Sequence, residues 1–256
     1  MAESQYGFPT EVLSLPSNGL LYPEDSPLRS GTIEVKYMTA KEEDILTSNN
    51  LIEQGVVITK LLESVIADSK VKLDDILIGD KNALMVGTRI LGYGANYEIM
   101  LTDPDTNERV EYTVDLSKLN NKTIDEKKYK NGNLFSLELP NSKRVVEFKL
   151  LTHGDDKKID EILKDYEKVE KLTGVSQELT TRLKYQIQSI DGNTEQKTID
   201  NFVDNEFLAL DTRAFRKYVA SVTPDIELKF EYTSQTGNNH ILDIPLGLDF
   251  FWPAAE

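Results

Sequence analysis

Apolar and polar positions change period several times along the chain of 256 residues. In the first thirty residues, Tyr6, Phe8, Leu13, Leu15, Leu20, Leu21 and Tyr22 are interspersed with Pro9, Pro16, Pro23 and Pro27. Proline fixes φ and biases the residue before it toward extended geometry, so neither a helix nor a central strand is expected there. The segment is too apolar for a solvated linker and should lie as an extended strip on a surface, its own or a partner's. Thr32–Tyr37 then alternates as a short strand. Thr39 and Glu42 stand three apart as a capping box that opens a helix through about Leu46. Val57, Ile58, Leu61, Leu62, Val65 and Ile66 form the stripe of a second helix. A third carries Ala83, Leu84, Val86, Ile90 and Leu91, with Asp80 as its expected cap and Gly92 as its expected stop.

Strand patterns dominate next. Tyr97–Thr102 and Val110–Val114 alternate around Asp103-Pro-Asp-Thr-Asn107, a turn signal that predicts a hairpin. Leu134–Leu139 and Val145–Leu151 predict another pair, joined around Pro140. Helical spacing returns from Asp155 to about Val222. Ile159, Ile162, Tyr166 and Val169 mark one helix, with Asp160/Lys164 and Glu167/Lys171 as ion pairs on its wet side. Leu179, Leu183, Ile187 and Ile190 mark the next. Asn193 and Gln196 suggest a cap before Ile199, Phe202 and Val203, and Asp211 starts a last helix with Phe215, Tyr218, Val219 and Val222. Ile226–Thr233 and His240–Ile244 then flank Ser234-Gln-Thr-Gly-Asn-Asn239 as a second hairpin. The two hairpins resemble each other, which a fold that brings them together would explain; chance likeness between amphipathic hairpins is the alternative. Near the end, Phe250, Phe251 and Trp252 form an aromatic tail, either tucked into the core or inserted into a partner.

The expectation is therefore an α+β fold. Its regions are an extended docking arm at 1–30, a mainly helical region at 31–94, a β-hairpin region at 95–152, a helical region at 153–223, and a C-terminal hairpin with aromatic tail at 224–256.

Composition narrows the chemistry. With 29 basic against 44 acidic residues the net charge is −15, a balance that repels phosphate and anionic lipid, so neither nucleic acid nor membrane is expected as a partner. The absence of cysteine removes disulfides, thiolate catalysis and cysteine-ligated metal sites, and His153 and His240 are too few for a multi-histidine site. No Lys or Arg precedes Arg29, and no apolar run approaches the roughly 18–20 residues that span a bilayer. The whole chain is thus expected to be made and folded in the cytosol. No P-loop, Gly-x-Ser-x-Gly or His-Glu-x-x-His motif occurs, and Gly92-Tyr-Gly94 follows a helix where a dinucleotide fingerprint would follow a strand. Asp103, Asp105 and Asn107 start like a calcium loop, but Glu108 and Val114 stand where its glycine and bidentate glutamate belong. His153 reads as a surface loop histidine, and the pairs Asp74/Asp75 and Asp155/Asp156 as solvated faces rather than acid–base groups. No catalytic, cofactor-binding or metal-binding residue is expected. The unusual features are the apolar ends, which makes Tyr6, Phe8, Leu13, Leu15, Leu20, Leu21, Tyr22, Phe250, Phe251 and Trp252 the candidate partner-binding residues.

Those ends also carry a resemblance. Gly7-Phe-Pro-Thr-Glu-Val-Leu-Ser-Leu-Pro-Ser-Asn-Gly-Leu-Leu-Tyr-Pro23 and Gly31-Thr-Ile-Glu-Val-Lys-Tyr-Met-Thr-Ala-Lys-Glu-Glu-Asp-Ile-Leu46 resemble the baseplate hub proteins of T4-like contractile-tailed bacteriophages. The likeness continues through Leu77–Asn82 and Arg89–Gly94 to Pro245–Pro253 and is densest over 7–94. It implies a non-enzymatic structural component of a contractile tail baseplate, in its hub region. Such a protein would be assembled in the host cytoplasm and located in the virion, with other tail baseplate or hub proteins as partners. A transient hub assembly factor absent from the mature virion is the near alternative. A nucleic-acid-binding ribbon protein, which the acidic balance disfavours, is the alternative of another class, and a hydrolase using the acidic pairs is a third. Members of the group often carry a Cys-Pro-x-Cys knuckle in each hairpin, together like a zinc ribbon. The matching positions here are Asp103 and Thr106, then Thr233 and Thr236, none of which supplies a thiolate. The resemblance thus implies a cysteine-less, metal-free ribbon in which packing and hydrogen bonds hold the two hairpins side by side.

Overall fold

A computed structural model describes residues 7–251 of the chain. Strand β1 (Thr10–Ser14) pairs antiparallel with β2 (Thr32–Lys36), Thr10 opposite Lys36 and Ser14 opposite Thr32. Four helices follow, α1 (Ala40–Leu46), α2 (Asn49–Glu53), α3 (Val57–Val65) and α4 (Ile78–Tyr93). A two-stranded ribbon, β3 (Asn96–Thr102) and β4 (Arg109–Asp115), comes next. Then come β5 (Phe135–Glu138), β6 (Val145–Phe148), α5 (His153–Thr173), α6 (Glu178–Gln186) and β7 (Ile187–Ile190), with the three strands forming one antiparallel sheet in the order β5-β6-β7. Helix α7 (Gln196–Asn201) runs into a π turn before α8 (Ala209–Val222), and a second ribbon, β8 (Lys229–Thr233) with β9 (Asn239–Asp243), precedes a final 3-10 turn at Leu248–Phe251. The fold is α+β with small antiparallel sheets. No helix among the described residues is long and apolar enough to cross a membrane.

One hydrophobic cluster draws on every region of the chain, from Leu15 and Leu21 through Leu61, Phe148 and Phe215 to Phe250 and Phe251. From Leu13 to Leu28 the N-terminal segment therefore folds onto its own chain. Between β1 and β2 they double back so closely that Gly19 and Gly31, both at φ near +74°, face opposing backbone. A Cβ on Gly19 would stand 2.4 Å from the Arg29 carbonyl oxygen, so only glycine fits. The Arg29 guanidinium secures the same loop by donating to the Leu20 carbonyl at 2.8 Å.

Several predicted elements take another form. The capping box holds as predicted: the Thr39 N–H donates to Glu42 at 2.9 Å, and Glu42 is fully buried. Burial alone would raise the Glu42 carboxyl, but Lys36 and the hydroxyls of Ser64 and Thr39 hold it at about 2. Asp80, by contrast, does not cap α4, which starts two residues earlier. Its buried carboxylate turns inward and accepts from the Ser17 N–H (2.9 Å), the Ser17 hydroxyl (2.6 Å) and the Tyr22 hydroxyl (2.6 Å). The Tyr22 oxygen in turn accepts from the Leu77 N–H at 3.0 Å. Gly94 rather than Gly92 ends α4; Gly92 makes room for Met38, whose sulfur would lie 2.7 Å from a Cβ there. Ile187 and Ile190, expected on a helix, form β7, because β6 offers them a ladder that helical spacing alone cannot reveal. Asp211 lies inside α8 instead of starting it and accepts from the Asn141 and Ser142 N–H groups at 2.8 and 2.9 Å, tying down the β5–β6 turn.

Removing the Asp80 carboxylate would leave the Ser17 and Tyr22 donors buried without an acceptor. Asp80→Ala is expected to cost about 3 kcal/mol by urea denaturation and to open residues 15–31 to proteolysis first. A loss below about 1 kcal/mol would show that the carboxylate does not fasten this segment.

Candidate docking surfaces

Five of the ten candidate partner-binding residues are corrected by burial. Leu15, Leu21, Tyr22, Phe250 and Phe251 lie in the chain's own core. Leu13 and Leu20 are half-buried against it, Leu13 filling the space above Gly87 of α4. Phe8 keeps an exposed ring at 39%. Tyr6 and Trp252 lie outside the described residues.

The tail is drawn inward by Arg89, which sequence reasoning passed over. Its guanidinium is buried in α4 and donates to the carbonyls of Phe250 (3.1 Å), Gly94 (3.1 Å) and Asn96 (3.4 Å). The same group sits 5.1 Å from the Tyr93 ring centre and 5.9 Å from that of Tyr97. Phe250 then packs edge-on against Tyr97 at 5.0 Å. The available signal was a single arginine among the apolar residues of α4.

Apolar surface emerges elsewhere. Along α5 the stripe starts at Ile159, which is buried, passes half-buried Ile162 and Leu163, and reaches exposed Tyr166. It ends at Leu172, 87% exposed, followed by Val175 at 64% and Leu179 on α6. The side chain of Val169, also predicted on this stripe, is outside the described set. A second exposed pair, Phe8 and Val12, lies on and beside β1.

The two ribbons meet. The Tyr112 ring of β4 stacks on Phe230 of β8 at 5.4 Å and meets Tyr232 edge-on at 5.3 Å, while its hydroxyl donates to the Glu231 carbonyl. At the turns, Asp103 Oδ1 accepts from the Asp105 and Thr106 N–H groups, and its Oδ2 accepts from the Tyr232 hydroxyl (2.7 Å) and the Gln235 N–H (3.0 Å). Asp105 Oδ2 gathers the hydroxyls of Ser234 and Thr236 and the Asn238 amide. His240 Nε2 comes within 3.1 Å of Asp105 Oδ1, off line for a hydrogen bond. This constellation does not fit zinc: Asp103 and Thr236 stand at two of the positions matched to cysteine, and both carboxylates are engaged by hydroxyl and amide donors. Among the described residues no group of three or more His, Cys, Asp or Glu is arranged to hold a metal.

The remaining polar candidates are structural. His153 is not a loop residue but the buried first residue of α5, its Nε2 3.2 Å from the Thr59 hydroxyl and its Nδ1 3.5 Å from Lys81 Nζ. Burial and the Lys81 charge pull its pKa down. Asp155 completes the capping box of α5 by accepting from the Thr152 N–H and pairs with Lys149, Asp156 pairs with Arg182, and Asp74 with Lys157.

The ribbon contact should sense acid. Burial would raise Asp103, but the Gln235 N–H and the Tyr232 hydroxyl hold it at about 2. Asp105 is held well below the usual range, chiefly by the Ser234 and Thr236 hydroxyls. Carboxyls with depressed native pKa values stabilise the fold above their unfolded value, about 3.9, and lose that contribution as pH falls toward the native one. Protection factors of the amides in β4 and β8, taken against the intrinsic rate at each pH, should therefore fall as pH drops from about 4 toward 2. Asp103→Asn/Asp105→Asn should flatten that dependence; an unchanged profile would place the acid sensitivity elsewhere.

Comparison with curated proteins and with solved structures gives no match. A family model described as T4 bacteriophage base plate protein matches residues 13–252, from within β1 to the residue after the final turn. The chain belongs to the T4 bacteriophage base plate protein family.

Proposed function

We propose that the protein is a non-enzymatic structural component of the hub region of a contractile tail baseplate. Membership of the family gives it a structural role in the phage tail baseplate, with other baseplate proteins as its partners. The proposed contact is the distal end of the α5–α6 pair, with Phe8 and Val12 beside β1 as a second point. The observation that carries this reading is that, beyond buried Ile159, the apolar residues Leu172 and Val175 at the far end of α5 are exposed among the described residues. Fully burying such a side chain contributes about 1.5–3 kcal/mol, so a few of them suffice for a stable joint after association costs. A non-enzymatic role is supported by the engagement of the acidic pairs and His153 in caps, ion pairs and hydrogen bonds within the fold.

Leu172→Asp/Val175→Asp changes only exposed positions and should leave the melting temperature within a few degrees of the parent. Mass spectrometry of tails assembled with this variant should show it absent or reduced about tenfold. Unimpaired incorporation would remove the helical tip as the contact. Recovery of the parent protein from assembly intermediates but not from finished virions would turn the reading into a transient assembly factor.

A further inference from the structure

The ribbons leave an apolar trough that neither fills. Among the described residues β3 pairs only with β4, and β9 only with β8, so each ribbon keeps an open edge there. Between β3 and the second ribbon runs a groove of about 630 Å³. Every residue of β3 from Tyr97 to Thr102 lines it, which a strand achieves only by presenting its edge, since successive side chains point to opposite faces. Phe230, Leu242 and Pro245 form the facing wall. Glu98, Asp243 and Asp249 also line the groove, and no Lys or Arg does. Two cations stand near it: Lys229, 3.9 Å from Asp243 with both side chains mostly exposed, a weak pairing, and buried Arg89, 5.9 Å from the Tyr97 ring centre, whose guanidinium is already engaged by the Phe250, Gly94 and Asn96 carbonyls.

We propose that this groove binds an extended, basic segment of a partner polypeptide, which adds a strand to the free edge of β3. The main chain of the guest would pair with β3, alternate apolar side chains would enter the trough between Leu101 and Leu242, and Lys or Arg between them would meet the acidic rim. Charge complementarity selects this occupant. A second copy of the chain brings a net charge of −15. The chain's own last residues, Trp252-Pro-Ala-Ala-Glu256, bring a proline without an N–H and a further carboxylate. The six lining residues of β3 span about 20 Å, the reach of a guest of six or seven residues. The inference rests on the reading of this protein as a docking component of the baseplate and names the chemistry of one of its partners.

The probe is a fluorescein-labelled heptapeptide of alternating Lys and Val, titrated with the full chain at low and physiological salt and read by anisotropy. Saturable binding is expected, weakened by salt, and weakened about tenfold by Glu98→Lys/Asp243→Lys. The control Glu24→Lys/Asp44→Lys, with the same charge change at exposed positions that do not line the groove, should bind like the parent. A peptide N-methylated at alternate amides, and one with Glu in place of Lys, should not bind. No binding of the Lys-Val peptide, equal binding of either control peptide, or equal weakening by the control variant would overturn the proposal. So would tighter binding after truncation at residue 251, which would make the chain's own end the occupant. Self-association abolished by Glu98→Lys/Asp243→Lys would make it a second copy. If the peptide fails while Leu172→Asp/Val175→Asp is still excluded from tails, the groove assignment falls and the docking reading stands.

Discussion

Two charged side chains buried in one helix organise this protein. A charge removed from water must find all of its hydrogen bonds inside the fold, and that requirement fixes the position of whatever supplies them. Asp80, near the start of α4, finds them on Ser17 and Tyr22; Arg89, nine positions further on, finds them on Phe250 and the chain leaving the helix. One anion holds the segment at Ser17–Tyr22 and one cation holds Phe250. The apolar residues around those anchors, Leu15, Leu21, Phe250 and Phe251, then complete the core instead of extending from it.

This arrangement explains which parts of the molecule were legible in the sequence. Local signals were reliable where neighbours in sequence settle the outcome. The Thr39–Glu42 capping box and the turn at Asp103 act within a few residues, and both elements form where the pattern places them. The errors fall where a distant segment decides. Ile187 and Ile190 satisfy a helical period and a strand period alike, and β6 selects the strand. Asp80 and Asp211 have the composition of helix caps, yet each points at a segment remote in sequence. The greasy ends were noticed correctly, but apolarity does not say whose surface will cover it. The stripe of α5 shows the converse: its spacing marks the helix, but burial fades from Ile159 through Ile162 and Leu163 to exposed Tyr166 and Leu172.

The paired ribbons show how a cross-link can be made without a metal. A tetrahedral ion joins two loops through four bonds of high individual strength. Here two carboxylates do so with several weaker bonds, to hydroxyls and to amides of the opposite ribbon, reinforced by the Tyr112, Phe230 and Tyr232 rings. Such a joint needs no metal supply and no particular redox state. The two similar hairpins lie together, Tyr112 of one against Phe230 and Tyr232 of the other.

Fastening both ends to α4 also sets the path of any tension. If neighbouring subunits pull the segments at Ser17–Tyr22 and Phe250 apart, the load enters the helix near Asp80 and leaves near Arg89, about 13 Å along its axis. The ribbons and the three-stranded sheet lie outside that span. Between those two anchors the helix would act as a short strut, while a pull applied ahead of Ser17 would first meet the β1–β2 pair.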